Sequence, residues 1–214
     1  PEGLAELAGD RLPQRFAQRL HRVRRGPGVF KVDWALDGPI PWADPACARA
    51  GTLHLGGTAE EIAAAEASVA RGALPERPYV LLAQPSAFDP TRAPAGRHVA
   101  WAYTHVPNGS TADRAEAVER QIERFAPGFR DLVLERAVHG PADLERRDAN
   151  LVGGSIGGGE QDLVQTLARP LPPPDPWVIP GDGLYLCSSS TWPGAGVHGM
   201  CGHLAARAAM ARTF

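Results

Sequence analysis

The stretch Gly183–Ala209, GLYLCSSSTWPGAGVHGMCGHLAARAA, constrains the fold of this chain more than any other. Leu184–Cys187 is a short apolar run of the kind that forms a buried strand. Ser188–Gly202 is rich in Ser and Gly, so its backbone can turn tightly and approach another molecule closely. His203–Arg212 is Ala-rich and helix-prone, with Arg207 and Arg212 suited to a helix C-terminal end. A strand, a glycine turn and a helix in this order point free backbone N–H groups at an anion or a polarised carbonyl.

The residues before it alternate between strand and helix patterns. Leu4–Val23 has Leu12, Phe16, Leu20 and Val23 at helical spacing, and Gly26-Pro27-Gly28 ends it. Val29–Leu36 alternates as a strand, with Phe30, Val32 and Trp34 on one face and Lys31 and Asp33 on the other. Strands are expected at Thr52–Leu55, Tyr79–Ala83, Val99–Thr104 and Leu132–Arg136. Thr58 with Glu61 three residues later marks the start of a helix over Ala59–Ala70. Asp113–Phe125 reads as an amphipathic helix, with Ala115, Val118, Ile122 and Phe125 inward and Glu116, Glu119, Arg120, Glu123 and Arg124 toward water. Pro141–Arg147 is a short helix and Asn150–Gly159 a glycine loop. Arg169–Pro180, with Pro170, Pro172, Pro173, Pro174, Pro176 and Pro180, is a stiff connection. The mixture gives an α+β fold built on a mixed, largely antiparallel sheet flanked by helices. Two domains are expected, a substrate-binding part over 1–170 and a strand–turn–helix segment over 171–214.

Composition excludes several classes. The chain has 214 residues, of which 43% are hydrophobic, enough for a real core. Its net charge is −2 with mixed signs, so no basic field points to nucleic acid. The Arg19–Arg25 cluster reads as a solvated face or an interface. Cys47, Cys187 and Cys201 are an odd number at no framework spacing, which fits a reducing, cytoplasmic compartment. No apolar run is long enough to span a membrane and no signal peptide is visible. Lys31 is the single lysine of an Arg-rich chain.

Few constellations suggest chemistry. His198 and His203 flank Cys201, but their spacing matches no metal site, and none is expected. Gly153-Gly154-Ser155-Ile156-Gly157 fits the G-x-S-x-G of a hydrolase nucleophile elbow, with Asp162, Asp175 or Asp182 and His198 or His203 following in order. An elbow needs a strong strand before it and a helix after it. Here Gly158-Gly159 follow, so a Ser155 hydrolase is a minor alternative. Trp34, Trp101 and Tyr103 are aromatic strand residues that serve either as core or as a ligand platform.

Several motifs together resemble the FAD-dependent amine oxidase and phytoene dehydrogenase superfamily, and most closely its phytoene-desaturase-like branch. They are Leu184-Tyr185-Leu186, Ser188–Thr191, Pro193-Gly194-Ala195-Gly196-Val197-His198-Gly199 and Gly202 with Ala205-Ala206. Upstream, Phe30–Trp42, His54–Gly57, Gln84–Ser86 with Asp89-Pro90, and Asn150–Gly154 extend the likeness. The abundance of Ala, Arg, Gly and Pro beside a single Lys points to a GC-rich, bacterial source. The resemblance, to a branch both bacterial and mitochondrial, implies a flavoprotein oxidoreductase with hydride transfer from an apolar or unsaturated substrate to FAD. It implies flavin contacts from Ser189, Ser190, Gly196, Val197, His198, Gly199 and Met200, and substrate contacts from Trp34, Trp101 and Tyr103. It assigns no catalytic residue. The family's N-terminal Rossmann unit with its G-x-G-x-x-G turn has no counterpart here. The chain is therefore expected to be a fragment that needs that unit or a partner chain, a homodimer included. The alternative is a non-catalytic binding module derived from such an enzyme.

Overall fold

The computed structural model describes residues 2–168, 170–171, 174–181 and 183–213. Arg169, Pro172 and Pro173 of the proline-rich connection, and Asp182, lie outside them. In chain order the elements are α1 (Glu2–Ala8), α2 (Gln14–Leu20), β1 (Gly28–Leu36), β2 (Thr52–Leu55), α3 (Ala59–Ala70), β3 (Val80–Ala83), β4 (His98–Val106), α4 (Ala115–Glu123), β5 (Val133–His139), α5 (Pro141–Arg147), α6 (Leu163–Ala168) and α7 (Met200–Thr213). The chain divides into two compact units. One is Pro27–Leu144, and the other joins Pro1–Gly26 to Glu145–Phe214. The boundary expected at 170/171 falls inside the second of these.

The first unit is a five-stranded antiparallel sheet in the order β2-β3-β4-β1-β5. Strand alternation builds it. Phe30, Val32, Trp34 and Leu36 of β1 are buried beside Ala100, Ala102, Thr104 and Val106 of β4. Ala115, Val118 and Ile122 of α4 join this core, as do Phe129, Ile40 and Trp42. Trp34 meets Phe129 edge-to-face at 5.4 Å. Trp42 donates to Gln84 Oε1 at 3.1 Å, and Gln84 Nε2 donates to the carbonyls of Cys47 and Ala50. The outer face therefore carries the alternate residues: Lys31 and Asp33 of β1, and Trp101, Tyr103 and His105 of β4. Helix α3 begins with the expected capping box, in which Thr58 and Glu61 exchange side-chain bonds with each other's backbone.

Glu119 does not face water. It is 4% exposed, and its Oε1 accepts from Trp34 Nε1 at 3.0 Å and from Arg136 Nη1 at 2.9 Å. A buried carboxylate is stable only when so partnered. In return, Glu119 holds the Arg136 guanidinium above its usual pKa. Gln121 is also buried, so the inward stripe of α4 is wider than its apolar residues alone indicate.

The second unit has a smaller core of Leu12, Phe16, Leu20 and Ile179, with Leu4, Leu171, Leu184 and Leu186 against it. The single helix expected over Leu4–Val23 is two helices. Gly9 takes a left-handed φ of +49° and Pro13 precedes α2 in an extended conformation, which breaks the α-helical ladder. Leu184–Cys187 is not a sheet strand. Tyr185 makes one antiparallel bridge with Val178, closed by Ile179 N–H to Leu184 O and Leu186 N–H to Trp177 O. Its flanks find no further strand among the described residues, and Cys187 is exposed. Helix α6 was not expected. Asp162 caps it, its Oδ1 accepting from Gln165 N–H at 2.9 Å.

The Glu119 node generates a stability prediction. Glu119→Ala leaves Trp34 N–H and one Arg136 contact without an acceptor and lowers the unfolding free energy by about 2–4 kcal/mol in urea titration. Glu119→Gln keeps an acceptor for Trp34 and costs about 1 kcal/mol. Equal losses for the two variants contradict a hydrogen-bonding role.

Candidate functional site

The second unit holds the glycine turn. Ser188–Thr191 is a compact turn in which Ser188 Oγ accepts from Ser190 N–H and Thr191 Oγ1 donates to Ser188 O. Ser190 is buried and donates to Gly158 O at 2.8 Å. A Cβ at Gly158 would come within 2.6 Å of Ser189 Oγ and 2.7 Å of Ser190 Oγ, so the Asn150–Gly159 loop meets the serine turn only through glycine. Ser189 and Ser190 are thus brought against the glycine loop. Cys201, buried at the start of α7, donates its thiol to Gly194 O at 3.3 Å.

Gly196–Met200 lies on the surface. Val197 is fully exposed, and Gly196, His198, Gly199 and Met200 are exposed with it. His198 Nδ1 accepts from Met200 N–H at 3.0 Å, and His203 N–H closes the first helical turn on Gly199 O. The N–H groups of Cys201 and Gly202 find no acceptor among the described residues. Unspent donors at Cys201 and Gly202 lie behind an accessible glycine turn, while the Met200 N–H expected to contact the flavin is taken by His198 Nδ1. These donors and the small residues before them fit the electron-rich edge of a flavin.

The G-x-S-x-G loop does not assemble an elbow. Val152–Gly154 is a 3-10 turn with no strand before it, and α6 starts well after Gly159. Ser155 is 3% exposed and its Oγ has no hydrogen-bond partner among the described residues. Asp162 is engaged by Arg24 and Gln165, Asp175 by Arg212, and His198 by Met200. A nucleophile needs a base within hydrogen-bond reach, and none of these supplies it. Arg24, at the end of the basic cluster, is tied to the loop. It pairs with Asp162, and its carbonyl accepts from Glu160 N–H at 2.8 Å. Burial pulls the Arg25 guanidinium down and Glu145 opposes it. Among the described residues no group of three or more His, Cys, Asp or Glu could hold a metal ion.

The first unit holds the proposed substrate residues. Trp34 is core, with its N–H spent on Glu119. Trp101 and Tyr103 are half-buried on the outer face, their rings 6.4 Å apart and nearly parallel. The row continues through His105 at 5.9 Å and Tyr79 at 6.2 Å to His54 at 5.7 Å. Residues not singled out from the pattern join it. Lys31, directly across from Tyr103, forms an ion pair with Asp33 and sits 5.6 Å over the Trp101 ring. His139 Nε2 is 3.8 Å from Asp33. His105 Nδ1 lies 2.7 Å from Glu66 Oε2, and Tyr79 hydrogen-bonds His54. The chain's only lysine on an alternating strand was the signal for this group. Burial raises the Tyr79 and Tyr103 hydroxyls above their ordinary pKa; Tyr103 and the Glu66 carboxylate add to the first, and Glu66 to the second.

No protein-family model matches the chain. It is 35% identical over 220 residues to pyridine nucleotide-disulfide oxidoreductase domain-containing protein 2 of Rattus norvegicus. It is 34% identical over 216 residues to the protein of the same name from Mus musculus. Each alignment covers 91% of this chain and 37% of the relative, so the chain spans little more than a third of the length of these proteins. The likeness is to proteins named for a pyridine nucleotide-disulfide oxidoreductase domain and does not single out the phytoene-desaturase branch. Among the described residues no helix is long and apolar enough to cross a membrane.

The tyrosine shifts have a pH consequence. A hydroxyl whose folded pKa is raised stabilises the fold fully below the unfolded value of 10.0, and that contribution is lost as pH rises through the folded value. In an alkaline ultraviolet titration, Tyr79→Phe and Tyr103→Phe each remove absorbance that develops above pH 10. Removal of absorbance at or below that pH contradicts the assigned environments.

Proposed function

We propose that this chain is the substrate-domain and C-terminal flavin-wall part of an FAD-dependent oxidoreductase that dehydrogenates or isomerises an unsaturated substrate. The observation that carries the reading is the exposed Gly196–Met200 turn, with unspent N–H groups at the start of α7, in a chain related to oxidoreductase-domain proteins. FAD, when bound, supplies hydride acceptance at its N5. Gly196, Val197, Gly199 and Met200 hold the flavin edge, and the unspent N–H groups of Cys201 and Gly202 favour its negative charge. His198, exposed beside them, holds Met200 N–H in place. Ser189 and Ser190 set the turn against the glycine loop. Trp101 and Tyr103 orient a planar substrate, and Lys31, held by Asp33, presents a proton-bearing group on the same face. The remaining cofactor contacts come from a dinucleotide-binding unit on a further segment or a partner chain.

Exposed Leu163, Val164 and Val197 favour a second reading, in which the chain serves as a non-catalytic interaction module. Visible absorbance of the purified chain mixed with FAD separates the two. A flavin band that stays with the protein through gel filtration supports the flavin wall. Val197→Glu, at a fully exposed position, leaves the fold unchanged and weakens FAD binding by about tenfold through like-charge repulsion. A chain that takes up no FAD, alone or with a dinucleotide-binding partner, contradicts the reading.

A further inference from the structure

The outer face of the sheet has an uneven hydrogen-bonding balance. Its acceptor side chains are each engaged by a neighbour. Both Asp33 oxygens receive Lys31, Glu66 faces His105, and His54 Nδ1 is bonded to Tyr79. Its donors are not. An ammonium carries three N–H bonds and Asp33 engages two of them, which leaves one on Lys31. The Tyr103 hydroxyl makes no hydrogen bond among the described residues, and its raised pKa keeps it a neutral donor. Lys31 and Tyr103 are directly opposite one another in the β1–β4 register, where side chains on one face are close neighbours. Trp101 lies beside them as a flat ring, with Leu81 of β3 next to Tyr103.

A purely hydrocarbon ligand would cover both donors without satisfying either, which carries a desolvation cost. We infer that this face takes a flat, unsaturated substrate bearing a hydrogen-bond-accepting oxygen, its ring against Trp101 and its oxygen between Tyr103 and Lys31. The inference rests on the reading of this face as the substrate side of an oxidoreductase, and it replaces the expected apolar substrate with an oxygenated one.

Two probes of nearly one shape, 2-acetylnaphthalene and 2-ethylnaphthalene, differ in that only the first carries a carbonyl. Equilibrium dialysis against the 214-residue chain without flavin measures both. The carbonyl probe binds more tightly by about five- to twentyfold. Tyr103→Phe and Lys31→Met each remove about fivefold of that preference, and neither weakens 2-ethylnaphthalene, which also shows that the variants fold. Trp101→Ala weakens both probes. Equal or tighter binding of the hydrocarbon, a carbonyl preference unmoved by Tyr103→Phe, or no binding of either probe overturns the inference. FAD is absent throughout, so a failure here is distinct from a failure of the flavin turn to bind its cofactor.

Discussion

The sheet unit depends on the strict alternation of its central pair, β1 and β4. Every second residue, from Phe30 to Leu36 and from Ala100 to Val106, is buried in one core. Period 2 then leaves Lys31, Asp33, Trp101, Tyr103 and His105 together on the other face, whatever their chemistry. A one-residue slip would exchange the two sets. The Glu119 bonds to Trp34 and Arg136 reinforce the register, because they join α4, β1 and β5 at one buried carboxylate. The same choice that fixes the core thus assembles the candidate substrate face.

Much of this was legible. The Thr58/Glu61 capping box marks α3 to the residue, and the alternation of Val29–Leu36 marks both faces of β1. What escaped were features set by partners distant in sequence. Glu119 reads as solvent-facing because a helical pattern cannot show that Trp34, 85 positions away, will offer it an N–H. Leu184–Cys187 reads as a strand because apolar runs favour pairing, yet pairing also needs a neighbouring strand, and here only Val178 answers. Gly9 and Pro13 set the break in the first helix, and Asp162 with Gln165 sets the start of α6, local signals that the longer apolar spacing of Leu4–Val23 and the proline-rich run mask.

The candidate site divides in the same way. The glycine turn was visible as a motif because backbone approach demands small residues, which leave a mark in composition. The polar group on the sheet was not, since Lys31, Asp33 and His139 come from two strands and share no motif. Only the register unites them. Trp34 illustrates the converse: an aromatic residue on a strand invites a ligand role until its partners are known, and here they are Phe129 and Glu119.

Gly196–Met200 and the start of α7 are proposed to form a flavin-contacting wall. Amide hydrogen exchange with and without FAD, in the presence of a dinucleotide-binding partner where one is needed, tests it most directly. Slowed exchange is expected at Val197–Gly202, where the Cys201 and Gly202 N–H groups gain an acceptor. FAD that binds while those amides exchange unchanged would contradict it.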